Sequence, residues 1–188
     1  MAPGASIPWW SDRLSTRRRL ELLSDFGSAM HAKEEALCPS AQPEMSGSVI
    51  FAIIGGTPQK PRANYLSETR ATDASLLRLS EPVSPTEVFR FAAACAESGC
   101  QHYDGARCQL VRRTVQALEP VRNSLPACPI RPRCTWWQQE GKDACVRCPQ
   151  IVTQLYAPTE QMRAVAQPSL ADVETKHQAA QSNGAPDG

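Results

Sequence analysis

Eight cysteines in 188 residues constrain this chain more than any other feature, and seven of them fall between residues 95 and 148. Aromatic residues make up only 6% of the chain and prolines number 16, so little apolar area is available for burial. A core of that kind needs a staple. Clustered thiols supply one as disulfides in an oxidising compartment or as metal ligands in a reducing one. Residues 1–20 show no apolar stretch of a signal peptide; they run Ser6-Ile7-Pro8-Trp9-Trp10 and then Arg17-Arg18-Arg19. The longest apolar run, residues 49–54, is too short to cross a bilayer. The expectation is a cytoplasmic protein, off the membrane, whose thiols bind metal.

The candidate ligands are Cys95, Cys100, His102, Cys108, Cys128, Cys134, Cys145 and Cys148. Their spacing is Cys-x4-Cys-x-His-x5-Cys followed by Cys-x5-Cys-x10-Cys-x2-Cys, enough for two four-coordinate sites. Chain order pairs the first four and the last four; an interleaved partition has the same ligand count. Cys38, ahead of Pro39, reads as a spare thiol. Buried thiolates need positive charge beside them, and a divalent metal supplies it. Cys145-x2-Cys148 and Cys95-x4-Cys100 match zinc-knuckle spacing. Cys128-Pro129 and Cys148-Pro149 match the cysteine–proline pairs found at iron–sulfur ligands, and Trp136-Trp137 is suited to shielding a cluster. The cofactor expected is an iron–sulfur cluster or zinc, with a [4Fe–4S] cluster ahead of zinc.

The expected fold class is α+β, a small N-terminal β-layer packed on a metal-clamped, cysteine-rich helical and irregular half, with disordered tails. Residues 1–44 read as a flexible extension in which residues 13–21 form at most a ragged helix and Trp9-Trp10 a docking anchor. Met45 reads as an alternative start. One metal-stabilised domain spans 45–166, with the β-layer at 45–83 and the cysteine-rich half at 84–156; residues 167–188 read as a disordered tail. The clearest strand is 48–54, ended by Gly55-Gly56, with a second at 62–68 and a third short strand or turn at 76–79. Ser84-Pro85-Thr86-Glu87 is a capping box that starts a helix expected to carry Val88, Phe91, Ala92 and Cys95 on one face. A second helix, capped by Asp104, places Cys108, Val111, Val115 and Leu118 on one face and breaks at Pro120. A short helix at 135–140, a tight turn at 143–148, a strand at 150–156 and a last helix at 159–167 complete the reading.

Three functions follow from these ligands. The first is a small iron–sulfur protein in electron transfer or sensing. The second is a zinc-stabilised module contacting a protein partner or, less favoured, nucleic acid, because between residues 104 and 147 eight Lys and Arg residues outnumber four acids. The third is a thiol redox enzyme at Cys145-Val146-Arg147-Cys148, which lacks the βαβ setting such motifs use. No catalytic triad, carboxylate pair or nucleotide fingerprint is present, so an enzyme is the weaker expectation.

Overall fold

The computed structural model describes residues 35–168. The expectations for Trp9-Trp10, the helix at 13–21 and the tail from 169 onward lie outside them. Four strands form one antiparallel sheet: β1 (Leu37–Ala41), β2 (Val49–Thr57), β3 (Lys60–Ala71) and β4 (Phe89–Ala94), in the order β1-β4-β2-β3. The helices are α1 (Ala74–Arg78), α2 (Pro85–Val88), α3 (Gln109–Ala117), α4 (Thr135–Arg147) and α5 (Glu160–Ala166). The class is α+β, with the sheet packed against α3, α4 and α5.

β2 is nearly continuous in apolar residues because both sheet faces are covered. Phe51 and Ala52 meet the main core with Val111, Ile130, Trp136 and Ala144. Ile50 joins Phe89, Phe91 and Ala93 on the other face, where Leu76, Leu77 and Val88 close over them. β2 turns into β3 through Pro58-Gln59, with Thr57 paired to Lys60. Gly56 there has φ +84, and an added Cβ would meet the Lys60 carbonyl oxygen at 2.4 Å.

Three local expectations are corrected. The helix begun by Ser84-Pro85 lasts a single turn, with the Ser84 N–H donating to Glu87 Oε1 at 3.4 Å. The chain then enters the sheet as β4, between β1 and β2, where its backbone groups find ladder partners on both sides. Tertiary pairing overrides the helical preference of Ala92-Ala93-Ala94. Residues 37–41, expected within the flexible extension, form β1 at the sheet edge, and the Cys95 N–H donates to the Ala36 carbonyl at 2.9 Å. Residues 76–79 lie in and just after α1, capped by Asp73, instead of a strand.

In the cysteine-rich half, α3 buries Val111, Thr114 and the following Leu118 as its periodicity requires. Asp104 does not cap this helix; its carboxylate accepts the N–H groups of Ala106 and Arg107 and organises the preceding turn. α4 runs through Gly141, which kinks it at φ 55, ψ −133 and lets it resume where a tight turn was expected. Residues 150–156 are irregular, because the carbonyls of Cys148 and Ile151 are taken by a side chain, Arg90, and not by a sheet. Thr159 caps α5 by accepting the Met162 N–H.

An added Cβ at Gly141 would meet nothing within 4 Å, so backbone strain alone opposes substitution. Gly141→Ala is expected to lower stability by about 1–3 kcal/mol, read as a lower urea midpoint. An unchanged midpoint would mean that the kink is not held as described.

Candidate metal centres

The eight cysteines divide between two cavities. One, of ≈ 410 Å³, is lined by Cys38, Cys95, Cys100 and Cys108, with His102 beside them. The other, of ≈ 20 Å³, is lined by Cys128, Cys134, Cys145 and Cys148, under Phe51, Tyr65 and Trp136. None of the cysteines is disulfide-bonded. All eight sequence candidates, His102 among them, thus line the cavities of the two groups that chain order gives. Cys38, read from sequence as a spare thiol, stands with the first group. Among the described residues no group of three or more His, Cys, Asp or Glu side chains closes around a single ion.

Each quartet is assembled by a different means. Cys38 comes from β1, Cys95 follows β4, and Cys100 lies in the loop beyond it. Cys108 is the residue before α3, held by the Gln139 side chain, whose Oε1 accepts the Cys108 N–H at 2.9 Å while its Nε2 donates to the Cys108 carbonyl at 3.0 Å. Cys134 likewise precedes α4, and Cys145 and Cys148 are one helical turn apart at its end. The Thr135 hydroxyl donates to the Leu37 carbonyl at 3.1 Å, fixing the start of α4 to β1.

Main-chain N–H groups act on five of the sulfurs from two residues further on. The His102 N–H closes a hydrogen bond to Cys100 Sγ at 3.4 Å. Without closing such a bond, the amide dipoles of Ser40, Leu110, Ile130 and Trp136 favour the thiolates of Cys38, Cys108, Cys128 and Cys134. At Cys108 and Cys134 no full capping hydrogen bond closes, yet Val111 and Trp137 add a second amide dipole each, as the first turn of a helix does. Such donors do little for a neutral thiol and much for a thiolate.

Burial works in the opposite direction. It pushes Cys38 from 9.0 up to about 12, and the sulfurs of Cys108, Cys95 and Cys100 push further in the same sense. Burial also raises Cys128 to about 11 and Cys134 to about 12, here with repulsion from their own group, including Cys148. The sulfurs that act on Cys38, Cys108, Cys128, Cys134 and Cys145 belong in each case to the same quartet. Cys145 is raised by burial and lowered by the Arg131 guanidinium. Burial and the neighbouring Cys148 drive the Tyr65 phenol far up.

One functional-looking residue, Arg90, was not singled out from sequence. Arg90 is fully buried on β4, and no carboxylate pairs with it among the described residues. Its Nη1 donates to the carbonyls of Cys148 at 3.0 Å and Ile151 at 2.5 Å; its Nη2 donates to the Pro39 carbonyl at 2.7 Å and faces Cys148 Sγ at 3.8 Å. The available signal was one charge inside the apolar run Phe89-Arg90-Phe91-Ala92. Trp136 Nε1 and Arg131 Nε, in the wall of the second cavity, are buried donors without acceptors.

Of the eight residues counted toward a basic surface, Arg113, Arg131, Arg133 and Arg147 are engaged internally, whereas Arg107, Arg112, Arg122 and Lys142 are exposed. Arg113 donates to the Val165 carbonyl, Arg133 to Glu35, and Arg147 to Leu118. Arg113 Nη2 also meets His102 Nδ1 at 3.0 Å. No described helix is long and apolar enough to cross a membrane.

Fold and site together define an α+β protein with two cysteine quartets in the seam between a sheet and its helices. No protein-family model, curated protein or solved structure matches the chain.

A raised thiol pKa stabilises the fold below the unfolded value, and that stability is lost as pH rises through the folded value. For metal-free protein the loss is expected between pH 9 and about 12, the window of Cys38 and Cys134. Urea midpoints across that range check it; a midpoint that rises with pH would contradict it.

Proposed function

We propose that this is a two-centre iron–sulfur protein that carries electrons. Cys38, Cys95, Cys100 and Cys108 would hold one cluster, and Cys128, Cys134, Cys145 and Cys148 the other. The carrying observation is the division of eight buried or half-buried cysteines into two quartets about separate cavities. Amide dipoles on five of the sulfurs add support, because they favour the thiolate that a metal requires. Left without a cation, these thiols stay protonated well above neutral pH.

Several features support a cluster over a single ion. Zinc bonded at about 2.3 Å draws four sulfurs to within about 3.8 Å of one another in a tetrahedron. The first quartet instead lines a cavity of ≈ 410 Å³, more than one ion fills. In a cluster each sulfur bonds a different iron, so wider spacing is required. Bridging sulfides would also accept hydrogen bonds from the orphaned Trp136 and Arg131 donors. His102 has its Nδ1 engaged by Arg113, so Cys38 is the better fourth ligand. Four protein ligands leave no iron open to substrate, which favours electron transfer over catalysis. A second reading, a single zinc ion on the later quartet, is favoured by the ≈ 20 Å³ size of that cavity.

Anaerobically purified or reconstituted protein is expected to be brown and to carry roughly eight irons and as many acid-labile sulfides if both clusters are of the four-iron type. Cys38→Ser and Cys134→Ser should each remove one centre, about half the iron, whereas His102→Ala should retain both. A colourless product with two zinc ions per chain would reject the iron–sulfur reading. Full iron retention in Cys38→Ser would reject the ligand assignment.

A further inference from the structure

Arg90 stands at the wall between the two cavities. In β1, Cys38 lines the larger cavity while its neighbour Pro39 lines the smaller. In the turn after α4, Cys148 lines the smaller cavity while Ile151 lines the larger. These two segments are the partition, and Arg90 donates to both of them from one guanidinium. Its Nη2 spans from the Pro39 carbonyl to Cys148 Sγ. A buried cation without a carboxylate is costly by several kcal/mol. Two thiolate-ligated centres, one on either side, would supply the missing negative charge.

We propose that Arg90 is a shared positioning residue that couples the two centres, so that electrons pass between them and each centre responds to the charge of the other. This rests on the iron–sulfur reading. The connection is short: Cys38 is bonded to Pro39, the Pro39 carbonyl accepts from Arg90 Nη2, and the same nitrogen meets Cys148 Sγ. The larger cavity belongs to the quartet whose four cysteines are all half-buried, whereas Cys134 and Cys148 are buried in the other. With clusters bound, the outer centre would take one electron from an external one-electron donor protein of low potential, and transfer of that electron past Arg90 would reoxidise the outer centre and reduce the inner one by the same unit. No covalent bond to the protein forms or breaks, and no proton is taken up, because the guanidinium stays charged throughout.

The guanidinium stabilises an added electron on either cluster, so its removal makes both harder to reduce. The test is a potentiometric titration of anaerobically reconstituted protein followed by electron paramagnetic resonance, with dithionite as reductant. Arg90→Gln is expected to shift both midpoint potentials downward, while Arg90→Lys restores most of the shift. Dithionite-reduced wild-type protein should also show a spectrum broadened by interaction between two reduced centres, a broadening absent from Cys38→Ser and Cys134→Ser. That second readout stands if Arg90→Gln fails to fold. Two intact clusters with unshifted potentials in Arg90→Gln, or with an unbroadened wild-type spectrum, would overturn the coupling and leave the iron–sulfur reading standing. Iron and sulfide absent from wild-type protein would overturn the reading itself.

Discussion

A positive charge sealed away from water organises this molecule. Arg90 is carried by the central strand β4 and is fully buried. Its guanidinium gathers carbonyls from β1 and from the turn after α4, and lies over the Phe51 ring at 5.4 Å. Carbonyl dipoles and an aromatic face solvate the cation in part. They do not neutralise it. The Cys148 thiol faces it at 3.8 Å, the Tyr65 phenol feels its charge, and the segments it holds carry Cys38 and Cys148. The fold therefore has a charge that calls for sulfur, and sulfur that calls for charge.

The sulfurs are placed by ordinary secondary-structure rules. Cys108 and Cys134 occupy the position before a helix, where Ser, Thr or Asp would normally accept amides of the first turn. Cys145 and Cys148 share a helix face at a spacing of three. Cys38 gains its direction from the alternation of β1, which sends Pro39 to the opposite side. Gln139 fastens the Cys108 loop to α4 through both of its amide groups. Cys38, Cys108, Cys134, Cys145 and Cys148 are thus each placed by the backbone element that carries them.

Much of this was legible in the sequence, and what was missed has identifiable causes. The β-branched run of β2, the capping box at Ser84, the buried face of α3 and the Thr159 cap are local signals, and each appears where local chemistry predicts. β4 was hidden because three alanines and a capping box imitate a helix, and only long-range pairing with β1 and β2 reveals the strand. Cys38 was hidden for a related reason: it is 57 residues from Cys95 in the chain, and β1–β4 pairing alone brings the two segments together. The count itself held the clue, since eight cysteines make two quartets without recourse to His102. The Gly141 kink was read as a helix end, because glycine marks either outcome and only the packing of Ala144 and Val146 decides between them.

X-ray absorption at the metal edge of anaerobically loaded protein distinguishes the proposed all-sulfur polynuclear centres from any other ligation. Iron with a first shell of sulfur alone and a second shell of neighbouring iron is expected. A first shell containing nitrogen or oxygen, or a zinc edge with no metal neighbour, would contradict it.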